Sequence, residues 1–147
     1  MKKLLAIILA ALMIAACSVT AFAADTTTVT YEVQPTYTVS IPAAVTLSDA
    51  DVTADITASD VVIETGSQIT VKLTAASNTA SGSTFNAKNG DSTVAYTITA
   101  DSAVAVGDTV ATFTADGSKT LTFSAADKSA TTIAGEHTET LTFTISA

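Results

Sequence analysis

Few residues in this chain are equipped for chemistry. His137 is the only histidine, and Glu136 and Glu139 flank it. A Ser-His-acid arrangement would have to use this imidazole, because no other base of that type is present. It stands in a polar stretch ahead of the last apolar alternation, so the expectation is an exposed strand-end histidine and no catalysis. One histidine and one cysteine do not form a zinc site without several carboxylates, and no metal or other cofactor is expected. Asp49, Asp51, Asp55 and Asp60 cluster in sequence but lack the glycine turn and closing glutamate of a calcium loop. Glu64, Glu136 and Glu139 are candidates for paired carboxylates, but their spacing does not set two of them across a cleft. A lysine–asparagine crosslink would need both residues on adjacent strands beside a buried acid. Lys72 falls in a predicted strand, whereas Asn78, Asn86 and Asn89 fall in or near predicted loops.

The elements around these residues are of two kinds. Lys2 and Lys3 precede an apolar run from Leu4 to Ala16, and Ala21-x-Ala23 precedes Ala24. This is the layout of a signal peptide over residues 1–23, leaving one domain over 24–147. The run is shorter than the roughly 20 apolar residues of a membrane-spanning helix. Cys17, the only cysteine, follows Ile14-Ala15-Ala16 in the loose pattern of a lipidation site, so a lipid anchor through Cys17 is the alternative to ordinary cleavage. With ordinary cleavage no cysteine remains, and the core must hold the domain without a disulfide.

Charge narrows the partners. The chain has 14 acidic residues, six lysines, no arginine and a formal charge of −8. All the acids follow the leader, and two of the lysines lie within it, so residues 24–147 are more acidic still. Nucleic acid and anionic lipid need a basic patch, which is missing. The plain reading of the charge is solubility and mutual repulsion between copies.

Beyond the leader, apolar and polar residues alternate with period two, and threonine and serine fill the polar phase. Val29, Tyr31 and Val33 share one phase, as do Tyr37, Val39 and Ile41 before Pro42. Val45 and Leu47 follow; Val52, Ala54, Ile56 and Ala58 suggest a weaker strand. Thr65-Gly66-Ser67 reads as a turn ahead of Ile69, Val71 and Leu73. Residues 76–82 read as a loop. Phe85 and Ala87 lead into a hairpin turn at Asn89-Gly90, returning through Val94, Tyr96 and Ile98. Ala111 and Phe113 are expected to pair, through Asp116-Gly117-Ser118, with Leu121 and Phe123. Leu141, Phe143 and Ile145 close the chain, and Tyr31, Tyr37 and Ile145 are expected inside with the rest of the apolar phase. Eight to ten short strands of this kind predict an all-β fold, a single immunoglobulin-like β-sandwich.

Two segments carry a resemblance: Tyr37 to Leu47 (YTVSIPAAVTL) and Ala134 to Ile145 (AGEHTETLTFTI). The chain resembles the small secreted β-sandwich surface proteins of Gram-positive gut bacteria, with an ending similar to that of WxL-type and spore-coat U or fimbrial-type domains. It departs from them in having no Trp-x-Leu motif, no sortase signal, and His137 where the pattern has tyrosine. The resemblance implies a surface or extracellular structural role and no catalytic residues.

The expectation is therefore a secreted or cell-surface, non-enzymatic structural or interaction module. Its partners would be other surface proteins or further copies of itself. The segment Asp25 to Gln34 is the candidate edge or exchanged strand. A small-ligand or glycan-binding sandwich is the second reading. It needs a pocket lined by aromatics, whereas the phenylalanines and tyrosines mostly fall in the inward phase.

Overall fold

A computed structural model describes residues 27–147. The expected leader and Cys17 lie outside the described residues. The chain divides into two units, Met1–Glu32 and Val33–Ala147. Of the first, residues 27–32 are described; they form no strand and are exposed.

The second unit is all-β. Its strands are β1 (Thr36–Ser40), β2 (Val52–Val62), β3 (Ile69–Ala76), β4 (Thr84–Asn89), β5 (Ser92–Thr99), β6 (Ala103–Val104), β7 (Thr109–Phe113), β8 (Gly117–Phe123) and β9 (Leu141–Ser146). They form two antiparallel sheets. The larger runs β1-β2-β8-β5-β4, with β6 paired to β5, and the smaller runs β7-β3-β9. Alternation decides which side chains meet, because successive residues of a strand face opposite ways. Ile56, Ala58, Phe85, Tyr96, Leu121 and Phe123 of the larger sheet join Ile69, Val71, Leu73 and Phe113 of the smaller in one apolar core. Phe85 and Tyr96 stack with centroids 5.5 Å apart, and Tyr96 meets Phe123 at 6.2 Å. The threonines of the same strands mostly stay exposed or half-buried, where a β-branched hydroxyl suits both strand geometry and water.

Bulges interrupt the ladders at three places. Val71 pairs with Ala111 but Lys72 with Thr109, so Val110 is an extra residue. The slip explains why Val110 and Ala111, adjacent in sequence, are both buried. A second irregularity lies between Leu73 and Ala75 against β9. The third falls between Thr36 and Thr38 against β2, where Asp60 takes φ +54°. Asp60 is the only non-glycine residue at positive φ among the described residues. Next to it, the Val61 amide donates to Asp116 Oδ1 at 2.8 Å.

Several expectations change. Val29, Tyr31 and Val33 belong to no strand and are 88%, 89% and 65% exposed. Tyr37 and Ile145 lie in strands but are exposed as well. The expected weak strand at Val52 is the longest, at 11 residues, because it sits between β1 and β8 and is paired on both sides. The hairpin turn is Gly90-Asp91 rather than Asn89-Gly90: Asn89 pairs with Ser92, and Gly90 alone takes positive φ, +59°. β7 and β8 are not a hairpin. β7 joins β3 and β8 joins β2, so residues 114–116 carry the chain from one sheet to the other, and Gly117 and Ser118 lie in β8.

Candidate functional site

His137 is neither exposed nor a free base. It is half-buried, with Nε2 2.8 Å from Ser92 Oγ and Nδ1 3.0 Å from the Gly135 carbonyl. Ser92 Oγ also accepts from the Thr132 amide at 2.9 Å and the Ile133 amide at 3.1 Å. A hydroxyl has two acceptor lone pairs and one proton. With both lone pairs engaged, Ser92 donates to Nε2, and the imidazole carries its own proton on Nδ1, donated to Gly135. The serine–histidine distance is that of a nucleophile and its base, but the surroundings are not. Ser92 is fully buried, its oxygen is saturated, and the third partner is a carbonyl instead of a carboxylate. The arrangement clamps the loop 130–137 to the start of β5. Gly135 makes it possible: its φ is +122°, and a Cβ there would lie 3.1 Å from Asn89 Nδ2.

Two residues on, Glu139 forms a second clamp. Its Oε1 accepts from the Asn78 amide at 3.2 Å. Its Oε2 accepts from the Asn86 amide at 2.9 Å and from the Tyr96 hydroxyl at 3.0 Å. One carboxylate thus ties the approach to β9 to the β3–β4 loop, β4 and β5. Burial raises the Tyr96 phenol well above its ordinary value, and the negative charge and hydrogen bond of Glu139 raise it further, so it holds its proton and donates. The backbone of Thr138 pairs in both directions with Lys88 of β4 at 3.0 Å. Residues 137–139 therefore lie along the larger sheet before β9 joins the smaller one.

The remaining candidates separate. Asp49 pairs with Lys128, Asp51 accepts from the Ala125 amide, and Asp55 accepts from the Thr120 hydroxyl. With Asp60 in its bulge, the four carboxylates serve four places. Among the described residues no three potential metal ligands converge. Lys72 is exposed on β3, whose neighbours β7 and β9 contain no asparagine. Asn86 lies within β4 of the other sheet, not in a loop. Glu64 and Glu136 are exposed.

One concave feature stands out, a groove of about 670 Å³. Residues 41–47 form one wall, and residues 136–141 with Phe143 form the other. Its floor is the inward face of the larger sheet, including Ala54, Val94, Tyr96, Leu121 and Phe123. β9 ends the smaller sheet, with β3 its one strand neighbour among the described strands.

Sequence reasoning missed Ser92, and it weighed Glu139 as a neighbour of His137 and a possible paired carboxylate but not as a clamp, although Glu139 carried that signal. Leu141, Phe143 and Ile145 fix a phase that runs back through Glu139 and His137, which places two polar residues on the inward side where each needs a partner. Ser92 had no such mark. No protein-family model, curated protein or solved structure matches this chain.

Proposed function

We propose that this is an exported, non-enzymatic structural or interaction module, an immunoglobulin-like sandwich that associates with further copies of itself by strand exchange. The observation that carries this reading is the exposure of Val29, Tyr31 and Val33 at 88%, 89% and 65%, outside any strand. Three large apolar side chains at period two are the pattern of a half-buried strand, here without a sheet to cover them. Adding such a segment to an open sheet edge supplies backbone hydrogen bonds and a place for alternate side chains. The polar clusters support the same reading, since Ser92, His137 and Glu139 have their bonding capacity taken up in holding loops. The export-like leader and the resemblance to surface proteins support a secreted or cell-surface location, with the lipid anchor at Cys17 as the other arm.

Sedimentation of the recovered protein over a wide concentration range tests the reading. Larger species should grow with concentration and vanish in the triple variant Val29→Ser, Tyr31→Ser, Val33→Ser. A chain that stays monomeric throughout overturns it. Intact-mass analysis of the N-terminus decides between cleavage near Ala24 and lipidated Cys17.

A small-ligand site is the second reading, favoured by the groove, whose volume suits a small molecule. Glycan stacking is less well supported, because the aromatics on the groove floor, Tyr96 and Phe123, are buried in the core.

A further inference from the structure

We infer that the groove binds a cationic amphiphile, a small molecule with an apolar body and an ammonium head, and that the Glu136 carboxylate receives the head. This gives the second reading above its ligand class and does not depend on self-association. The groove has its origin in the topology. The larger sheet runs through five strands along its path and the smaller through three. Beyond the smaller sheet the groove is walled by irregular chain, residues 41–47 on one side and 136–140 on the other. Tyr96, Leu121 and Phe123 at its base are already buried, so they are not the contact surface. That surface is the set of half-buried side chains Ile41, Val45, Leu47, Val94, Leu141 and Phe143. Each lines the groove and keeps part of its apolar surface accessible, and an apolar body would take the place of water there.

The titratable side chains along the groove select the head. Both ring nitrogens of His137 and both oxygens of Glu139 are already in hydrogen bonds, Tyr96 donates to Glu139, and Lys128 is paired with Asp49. Glu136 differs. It is exposed, lines the groove and makes no hydrogen bond or ion pair with the described residues. An ammonium group gives that carboxylate charge-assisted hydrogen bonds. The formal charge of −8 also draws cations and repels anions. A fatty acid would have to take Lys128 from Asp49 and bring its own negative charge to an acidic protein.

The test is titration of the recovered protein at neutral pH with dodecylammonium, dodecanol and dodecanoate, each below its micelle concentration, read by NMR chemical shifts. Shifts should concentrate at Leu47, Val94 and Leu141. Dodecylammonium should bind about tenfold more tightly than dodecanoate, which meets repulsion where the amine meets attraction. Glu136→Gln, a change at an exposed position, should weaken dodecylammonium about fivefold, the scale of an exposed ion pair, and leave dodecanol unaffected. Glu64→Gln removes an exposed carboxylate outside the groove and should change nothing. The triple variant Val29→Ser, Tyr31→Ser, Val33→Ser should bind as the parent does, which separates this result from any failure of self-association. Equal losses in Glu64→Gln and Glu136→Gln mean diffuse attraction to an acidic surface and overturn the site. Tighter binding of dodecanoate makes Lys128 the partner of the head and overturns the ligand class, as does equal binding of all three probes. Shifts that avoid the groove, or loss of binding in the triple variant, overturn the groove itself.

Discussion

Ser92 satisfies three groups with one oxygen: the amides of Thr132 and Ile133 and Nε2 of His137. Its own side chain is completely buried. Ser92→Ala should therefore lower stability by about 1–2 kcal/mol, the cost of leaving two amides and a ring nitrogen, all part-buried, without this partner. His137→Ala removes one of those bonds from a half-buried position and should cost less, about 1 kcal/mol. Urea unfolding measures both; a Ser92→Ala protein as stable as the parent would remove the clamp from the account. Tyr96 gives a prediction in pH. Its phenol is raised in the folded state by burial and then by Glu139, above the ordinary 10.0. Below pH 10 both folded and unfolded phenols are protonated, and the contribution is fully present. Above it the unfolded phenol ionises while the folded one does not, so stability falls with rising pH. The slope should approach about 1.4 kcal/mol per pH unit for one proton and should be absent in Tyr96→Phe.

At the scale of the elements, Asp60 shows how one residue shapes an edge. Its φ of +54° accompanies the slip in register between β1 and β2. An aspartate tolerates that region, and a β-branched residue does not. Asp60→Val should cost about 1–2 kcal/mol, whereas Asp60→Gly should be tolerated; equal stability of the two variants in thermal melts would contradict this. Much of the strand content was legible because period two is hard to mistake when threonine fills the alternate phase. The core residues Ile56, Ile69, Val71, Leu73, Phe85 and Ile98 all fall where the alternation put them. Pairing was less legible. A short connection such as residues 114–116 joins strands of one sheet or of two with the same residues, and only the packing of Phe113 and Leu121 from opposite layers decides. Bulges were invisible for a related reason, since an extra residue such as Val110 looks like an ordinary break in alternation. Of the site, the Glu139 clamp lay within reach of the phase argument. The groove did not, because its walls are 41–47 and 136–141, distant in sequence and brought together by the fold.

For the whole molecule, the balance lies between apolar attachment and charge. The full chain carries a formal −8 and residues 24–147 are more acidic still, so like-charged copies repel. Salt shortens the range of that repulsion from about 30 Å at 0.01 M to about 3 Å at 1 M. Assembly through Val29, Tyr31 and Val33 should therefore strengthen as salt rises, seen as a shift to faster-sedimenting species. Dissolution of the assemblies by salt would mean that ion pairs hold the copies together, contrary to attachment through the apolar side chains of Val29, Tyr31 and Val33. Two surface ion pairs among the described residues, Lys119–Asp101 and Lys128–Asp49, each leave the carboxylate largely exposed and contribute little to either balance.

Amide hydrogen exchange across residues 28–34, followed in concentrated and in dilute protein, tests the central claim most directly. The amides of Val29, Tyr31 and Val33 should exchange slowly when copies are crowded together and faster after dilution, while β3 stays protected in both. Rapid exchange of Val29, Tyr31 and Val33 at every concentration would show that no second copy ever covers them.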